Sequence, residues 1–271
     1  MKLFASIKNI TSVRNRTLVT EMVRSDFKLR YQGSVLGYLW SLLRPLFLFG
    51  ILYLVFTRII PIGKGIEHYG PYLLLGLVLW NFFVEATMSG MNAIVGRGDL
   101  IRKVSISKYI IVISTNASAL VNLLINMVVV FIFMGLDGVD FRPTILLAPL
   151  LIIELVILCL GISFWLSALF VKFRDFGHIW EVLLQMLFYS TPIIYLFKDV
   201  PEKMAKLMSL SPITQIFQDL RLLMISPETL TTKDILGSQL GRIIPLVIIV
   251  LVVISGVLHF RRVSRSFAEE L

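Results

Sequence analysis

Apolar residues fall along this chain in long unbroken runs, without the alternation of half-buried strands. Six runs lie near 36–60, 71–94, 109–134, 144–171, 179–197 and 243–260, where about 20 consecutive apolar residues carry a helix across a bilayer. Ahead of them, Leu18, Val19, Met22, Val23 and Phe27 recur at helical spacing, flanked by Arg14, Arg16, Arg24, Lys28 and Arg30. That pattern predicts an amphipathic helix on the membrane surface within residues 1–34. This stretch is too polar for a cleavable signal peptide. Between the fifth and sixth runs the pattern changes. YSTPIIYLFKDVP breaks the fifth run at Pro192 and closes it at Pro201, and KMAKLMSLSPITQIFQDLRLLMI keeps an apolar period interrupted by Pro212. Segment 198–242 is too amphipathic for a span and too apolar for open solvent. It predicts two short re-entrant helices, which persist only where protein or a water-filled cavity satisfies the backbone. The expected fold is all-α and integral to the membrane. An interfacial helix over 1–34 leads into a six-helix transmembrane domain over 35–261, with a loop at 95–108, and a tail follows over 262–271.

Composition agrees with the pattern. Of 271 residues, 57% are apolar and 16% charged, and the mean hydropathy is +0.86. A soluble domain would need more polar surface. The net charge of +9 raises nucleic acid as a partner, but its distribution answers otherwise. Basic residues crowd residues 1–44, the 95–108 loop (Arg97, Arg102, Lys103, Lys108), Lys172 and Arg174, and the tail, whereas the two short loops of the other side hold Arg58, Lys64 and Arg142. Short loops rich in Lys and Arg stay cytoplasmic, so both termini are expected inside. Anionic lipid headgroups account for the charge, and no nucleic acid is required. Cys159 stands alone, and His68, His178 and His259 are far apart, so neither a disulfide nor a zinc site is expected.

Two carboxylates lie inside expected spans, Glu85 in the second and Glu154 in the fourth. Intramembrane carboxylates face protein or water, so relay, substrate ligand and buried structural residue are all open. Asn116, Asn122 and Asn126 punctuate the third run, where hydrogen bonding between helices is the common use. Phe49, Tyr53 and Phe56 fall at i, i+4 and i+7 on one face of the first run. Trp80, Phe82 and Phe83 sit in the second run, and Phe188, Tyr189, Tyr195 and Phe197 in or beside the fifth. Such rings suit sugar stacking, lipid contact or interfacial belts. GRGDLIRKVSISKY, with Leu100 and Ile101 among Arg97, Asp99, Arg102 and Lys103, reads as a rigid handle for a soluble partner or as a solvated basic loop. KFRDFGHIWE, carrying Arg174 and Asp175, offers a second handle. No phosphate-binding G-x-x-x-x-G-K-[ST] loop occurs, so ATP hydrolysis is not expected on this chain.

Four stretches together resemble the membrane subunits of ATP-binding-cassette exporters of cell-surface polysaccharides, such as O-antigen and teichoic-acid permeases of the type-2 ABC permease superfamily. They are RSDFKLRYQGSVLGYLWSLLRPL, FFVEATMSGMNAIVGRGDLIRKV, KFRDFGHIWEVLLQMLFYSTPIIY and LSPITQIFQDLR. VSISKYIIVIS departs from that family, in which an aromatic-proline pair and a second proline often occur here. The resemblance implies a homodimer of six-helix subunits in a bacterial cytoplasmic (inner) membrane, bound to two copies of an ABC ATPase. ATP and magnesium would sit on that ATPase and no cofactor on this chain. It also implies that the N-terminal helix and the 97–108 loop seat in the ATPase, with Asp99, Leu100, Ile101, Arg102 and Lys103 in contact. Arg97, Arg174 and Asp175 are further candidates for coupling. Phe49, Tyr53, Phe56, Trp80, Phe83, Glu85, Tyr189 and Tyr195 become candidates for the channel of a lipid-linked polysaccharide. Two other readings remain: export of a drug, lipid or small amphiphile, and a membrane acyl- or glycosyl-transferase using Glu85 or Glu154 as base.

Overall fold

The structure, a computed structural model, describes residues 13–34, 36–37, 39–60, 67–103, 106–264 and 267–270, and the regular structure among them is helical. Helix α1 (Val13–Tyr31) precedes α2 (Leu39–Leu54), which runs on as a π turn over Val55–Ile59. Helix α3 (Tyr69–Asn92) passes through a 3-10 turn (Val95–Arg97) into α4 (Gly98–Lys103), and α5 (Lys108–Leu136) follows. A 3-10 turn at Pro143–Leu147 opens α6 (Ala148–Lys172), and α7 is Phe176–Ser190. Three short helices, α8 (Glu202–Met208), α9 (Pro212–Met224) and α10 (Thr232–Leu236), lead to α11 (Leu240–Val263) and α12 (Phe267–Glu270).

Five helices among the described residues are long and apolar enough to cross a membrane: Leu39–Ile59, Tyr69–Asn92, Lys108–Leu136, Pro143–Lys172 and Gly241–Val263. They match the first four apolar runs and the last. The fifth run, expected at 179–197, yields the 15-residue α7, about 22 Å long at 1.5 Å per residue. Pro192 sets that limit. A residue before proline is pushed out of the helical region, and Thr191 sits at φ −102°, ψ 134°. The connection expected to hold two short helices holds three. Pro212 divides the first two, starting α9 at the position where a missing N–H is harmless. The third is a single turn closed by a capping box between Thr231 and Asp234, whose hydrogen bonds hold the Asp234 carboxyl below its ordinary range.

Helix α3 is the centre of the bundle. Its residues from Tyr69 to Phe83 are buried on nearly all sides, the mark of a helix enclosed by others. Helices α5 and α6 pack along it, and α11 packs on the far side of α6. Small residues make these approaches close, as in membrane bundles generally. A methyl on Gly90 would strike Ser163, and one on Gly161 would lie 2.9 Å from Val253. In the first crossing Asn116 donates to the Ser163 hydroxyl at 3.1 Å, and that hydroxyl donates to the Ala86 carbonyl at 3.3 Å.

After Pro192 the chain runs without regular structure as far as Leu196, and its carbonyls need partners from elsewhere. Tyr69 donates its hydroxyl to the Ile194 carbonyl at 3.0 Å, and Tyr72 donates to that of Tyr195 at 3.1 Å. Arg221 of α9 supplies the rest. It has no exposed surface, and its guanidinium donates to the carbonyls of Pro192, Ile193 (2.8 Å) and Tyr72 (3.2 Å). It also lies 3.5 Å from the centre of the Tyr72 ring, a cation–π contact. Gly76 makes room, since a side chain there would collide with Nη2 of Arg221 and come within 3.3 Å of the Ile193 carbonyl.

An unpaired buried carbonyl costs roughly 1–3 kcal/mol. Arg221→Met should therefore destabilise the protein by on the order of 3 kcal/mol, and Arg221→Lys, which lacks the planar fork, should not restore it. Gly76→Ala should act in the same direction. Thermal melting in detergent checks all three, and an unchanged midpoint for Gly76→Ala would contradict the close approach.

Candidate functional site

Two regions gather the residues that the sequence singles out. The first is the end of the bundle that carries α4. Here Asp99 stands in the first turn of α4 and Arg102 and Lys103 in the last, each placed favourably against the helix dipole. Asp99, Arg102 and Lys103 are exposed and Leu100 is half-buried. Ile101 packs on an apolar cluster built around Ile94, Ile111, Phe164 and Phe260. Arg97 points inward. It donates to the Asp26 carboxylate of α1, to the Ser114 hydroxyl at 3.2 Å and to the Ile111 carbonyl at 3.5 Å. Asp26 also accepts from Ser118 at 3.1 Å. Arg97 and Asp26 thus bolt α1, the α4 turn and α5 together. Asp26 was legible only as an acid among many bases, and nothing in the spacing assigned it a partner.

The tail reaches the same end. Lys108 donates to the Ser264 carbonyl and lies 5.2 Å from the centre of the Phe267 ring. Phe267 is fully buried in that cluster, edge-on to Phe260 with centroids 5.4 Å apart. Arg174 and Asp175, just before α7, are exposed, and Arg174 lies 5.4 Å from the centre of the Phe170 ring. Part of the N-terminal helix expected over 1–34, and residues 104–105 of the loop, fall outside the described residues.

The second region is a cleft of ≈ 460 Å³ between α2, α3 and α5, lined by Ser41, Arg44, Asn81, Glu85, Asn122 and Asn126 together with Trp40 and Phe82. Glu85 accepts from the Asn122 amide at 2.9 and 3.2 Å. Asn126 donates to the Asn122 carbonyl at 2.9 Å. The Asn122 side-chain oxygen is buried without a partner. This is a concentration of acid, base and amide at the depth of three candidate spans. Intramembrane polar groups of this kind mark the path of a polar substrate or a protein-lined interior. Asn122 is both: it joins α5 to α3 through Glu85 and it faces the cleft. Arg44 and Asn81 were not singled out from the sequence. Their signal was there, as polar residues about two to three turns inside apolar runs.

The aromatic candidates separate. Phe49 is buried edge-on to Phe133 at 5.3 Å and lies 5.6 Å from Tyr53. Tyr53 stacks on Tyr69, and Tyr69 on Tyr72, each pair at 6.4 Å. The ring series therefore crosses from α2 to α3 and ends under Arg221. Phe56 falls in the π turn and packs half-buried on the main core. Trp80 and Phe83 are buried, clasped with Phe188 and Trp180 of α7, and the Trp180 indole donates to Thr87 at 3.2 Å. Within this subunit they join α3 to α7. Tyr189 is exposed, and Tyr195 donates to its carbonyl at 2.9 Å. Glu154 lies beside Gln215 and Asp219 of α9, away from the cleft.

The Asp26–Arg97 contact should behave as a coupled pair. Asp26→Asn should speed hydrogen exchange in α1. A double-mutant cycle with Arg97→Gln should return a coupling of about 0.5–3 kcal/mol, the range for residues in one network. Additive losses would place α1 and the α4 turn in independent units.

Comparison with known proteins bears on both regions. The family described as ABC-2 type transporter matches residues 17–225, from α1 to the end of α9. An O-antigen export system permease protein RfbA from Klebsiella pneumoniae is 26% identical over 257 residues, covering 94% of this chain and 95% of its own length. A protein of the same name from Myxococcus xanthus is 27% identical over 203 residues, 74% of this chain and 77% of its own. The match takes in the bolted α1–α4 end, the polar cleft and the arginine of α9 alike: the chain belongs to the ABC-2 type transporter family.

Proposed function

We propose that this chain is the membrane subunit of an ATP-driven exporter that carries a lipid-linked cell-surface polysaccharide, of O-antigen or teichoic-acid type, across a bacterial cytoplasmic membrane. The observation that carries the reading is the likeness to O-antigen export permeases along 94% of the chain. The polar cleft supports it, because a hydroxyl-rich polymer needs hydrogen-bonding groups at membrane depth, and Glu85, Asn122, Asn126, Asn81 and Arg44 offer them.

In this reading ATP and magnesium are held by a separate ABC ATPase, and two copies of each chain form the transporter. Helix α4 docks on the ATPase through Asp99, Leu100, Arg102 and Lys103, with Arg174 and Asp175 alongside. Force from ATPase closure enters at α4, passes through Arg97 and Asp26 to α1, and through Ser114 and Ser118 to α5. Helix α7 and the extended chain after it complete a sixth crossing. Helices α8 and α9 are the re-entrant pair near the outer face, and both termini are cytoplasmic. The apolar faces of α2 (Phe47, Ile51) and α7 (Val182, Met186, Tyr189) are exposed in the single subunit. They are the surfaces where a second copy would close a channel, with Tyr53 and Tyr189 offered to sugar rings.

Depletion of the protein should leave full-length lipid-linked polymer inside the cell and strip it from the surface. Unchanged polymer in both places would overturn the proposal and favour efflux of a drug, lipid or small amphiphile. Glu85→Gln and Asn122→Ala should each slow export by on the order of tenfold, the scale of one lost hydrogen bond to a charged group. Leu100→Asp should weaken co-purification of the ATPase and leave the cleft intact.

A further inference from the structure

The opposite end of the bundle from α4 contains a second cavity, ≈ 300 Å³ in volume. Its wall includes Tyr72 at the start of α3, Lys198, Gln218 of α9, and Ser226, Glu228 and Thr229 from the turn after α9. Gln218 is the unusual member. It has no exposed surface, and neither its amide oxygen nor its amide nitrogen has a hydrogen-bond partner. Buried polar groups are almost always paired, and a primary amide has acceptor and donor capacity to satisfy together.

We infer that this cavity is a binding site for a neutral, hydroxyl-rich ligand: a single sugar unit. A hydroxyl both accepts and donates, so one sugar can meet both ends of the Gln218 amide. The Ser226 and Thr229 hydroxyls, both half-buried, extend the same chemistry along the wall. The exposed charges on the wall are Lys198 and two carboxylates, Glu67 and Glu228, an excess of negative charge that disfavours a phosphate or any other anion. Leu196, Phe197, Ile225 and Leu230 supply the apolar part of the lining and suit the C–H face of a pyranose ring. The volume lies at the small end of ligand sites, roughly 300–1,000 Å³, so it takes a sugar unit and not a chain. Arg221 and Tyr72 hold the back of the cavity rigid through their stacked contact. The sugar has two possible sources, the exported polymer on its way out or free sugar outside the cell. Only the first rests on the exporter reading.

The test uses the full chain in lipid nanodiscs, with methyl α-mannoside and methyl α-galactoside as probes read by saturation-transfer NMR. Transfer to the ring protons of at least one probe is expected in the wild type. Affinity should fall about tenfold in Gln218→Leu, the scale of losing a paired amide, while the melting temperature shows that the variant is folded. Thr229→Val, at the cavity's half-buried rim, should weaken binding in the same direction and serves if Gln218→Leu does not fold. No transfer in the wild type, or equal transfer in wild type and folded variants, would overturn the inference and leave a water-filled hole. Oligosaccharide released from the cell's own surface polymer is then added as competitor. Displacement assigns the site to the exported chain, and binding without displacement assigns it to free sugar. Surface polymer measured after depletion reports separately on the exporter reading, so a transporter without this site, or this site in another kind of transporter, would each be recognised.

Discussion

A membrane protein that interrupts a helix within its apolar interior must find partners for the carbonyls it releases, and here one arginine and two tyrosines provide them. Pro192 stops α7 after 15 residues and exposes a strand of unpaired backbone. Arg221 enters from α9, 29 residues after Pro192, and turns its guanidinium onto that segment and onto α3. The carbonyls and the Tyr72 ring compensate for the desolvated charge. Gly76 must lack a side chain, Tyr69 and Tyr72 must present hydroxyls, and α9 must be buried along most of its length. The cavity beside Gln218 follows from the same arrangement, because α9 is held against α3 at Arg221.

The two ends of the bundle are built on different physics. At the α4 end an ion pair and two hydroxyls join α1, the turn into α4 and α5, and the Phe267 side chain fills the apolar space behind them. At the opposite end the contacts are carbonyl-directed and aromatic, and short helices replace long ones. Between them, α2 is the least enclosed span, with only Pro45 and Phe49 buried along its α-helical length. A loosely held helix beside a polar cleft is the element best placed to move.

The buried polar atoms show where the chain accepts a penalty. Asn122 in the cleft, and Glu154, Thr214, Gln215, Gln218 and Asp219 around α9, each leave at least one oxygen or nitrogen unpaired. Burial also raises the Asp219 carboxyl above its usual range, against the Gln215 hydrogen bond and the positive charge of Arg242 that lower it. Such atoms concentrate in α9 and the cleft, and Glu154 reaches α9 from α6. The seam at Gly161 is closed by shape, and the one at Gly90 adds the Asn116–Ser163 hydrogen bond and leaves the Asn116 side-chain oxygen unpaired.

By itself the sequence determined the class of the protein, the places of five helices long and apolar enough to span to within a few residues, a helix ahead of them and the division of the last long connection at Pro212. These are local consequences of apolar run length, helical period and proline stereochemistry, which act within one segment. Glu85 and the asparagines were legible as polar residues at membrane depth, because their cost there is independent of their neighbours. What only the tertiary structure decided was pairing. That Arg97 faces Asp26, that Trp80 and Phe83 clasp α7 within the subunit, that the Tyr53 series passes to Tyr69 and Tyr72, and that Arg221 turns inward depend on residues tens of positions apart. Helical spacing sets the direction of a side chain about its own axis; which helix lies in that direction is set by close packing around Gly76, Gly90 and Gly161, and no local pattern encodes it.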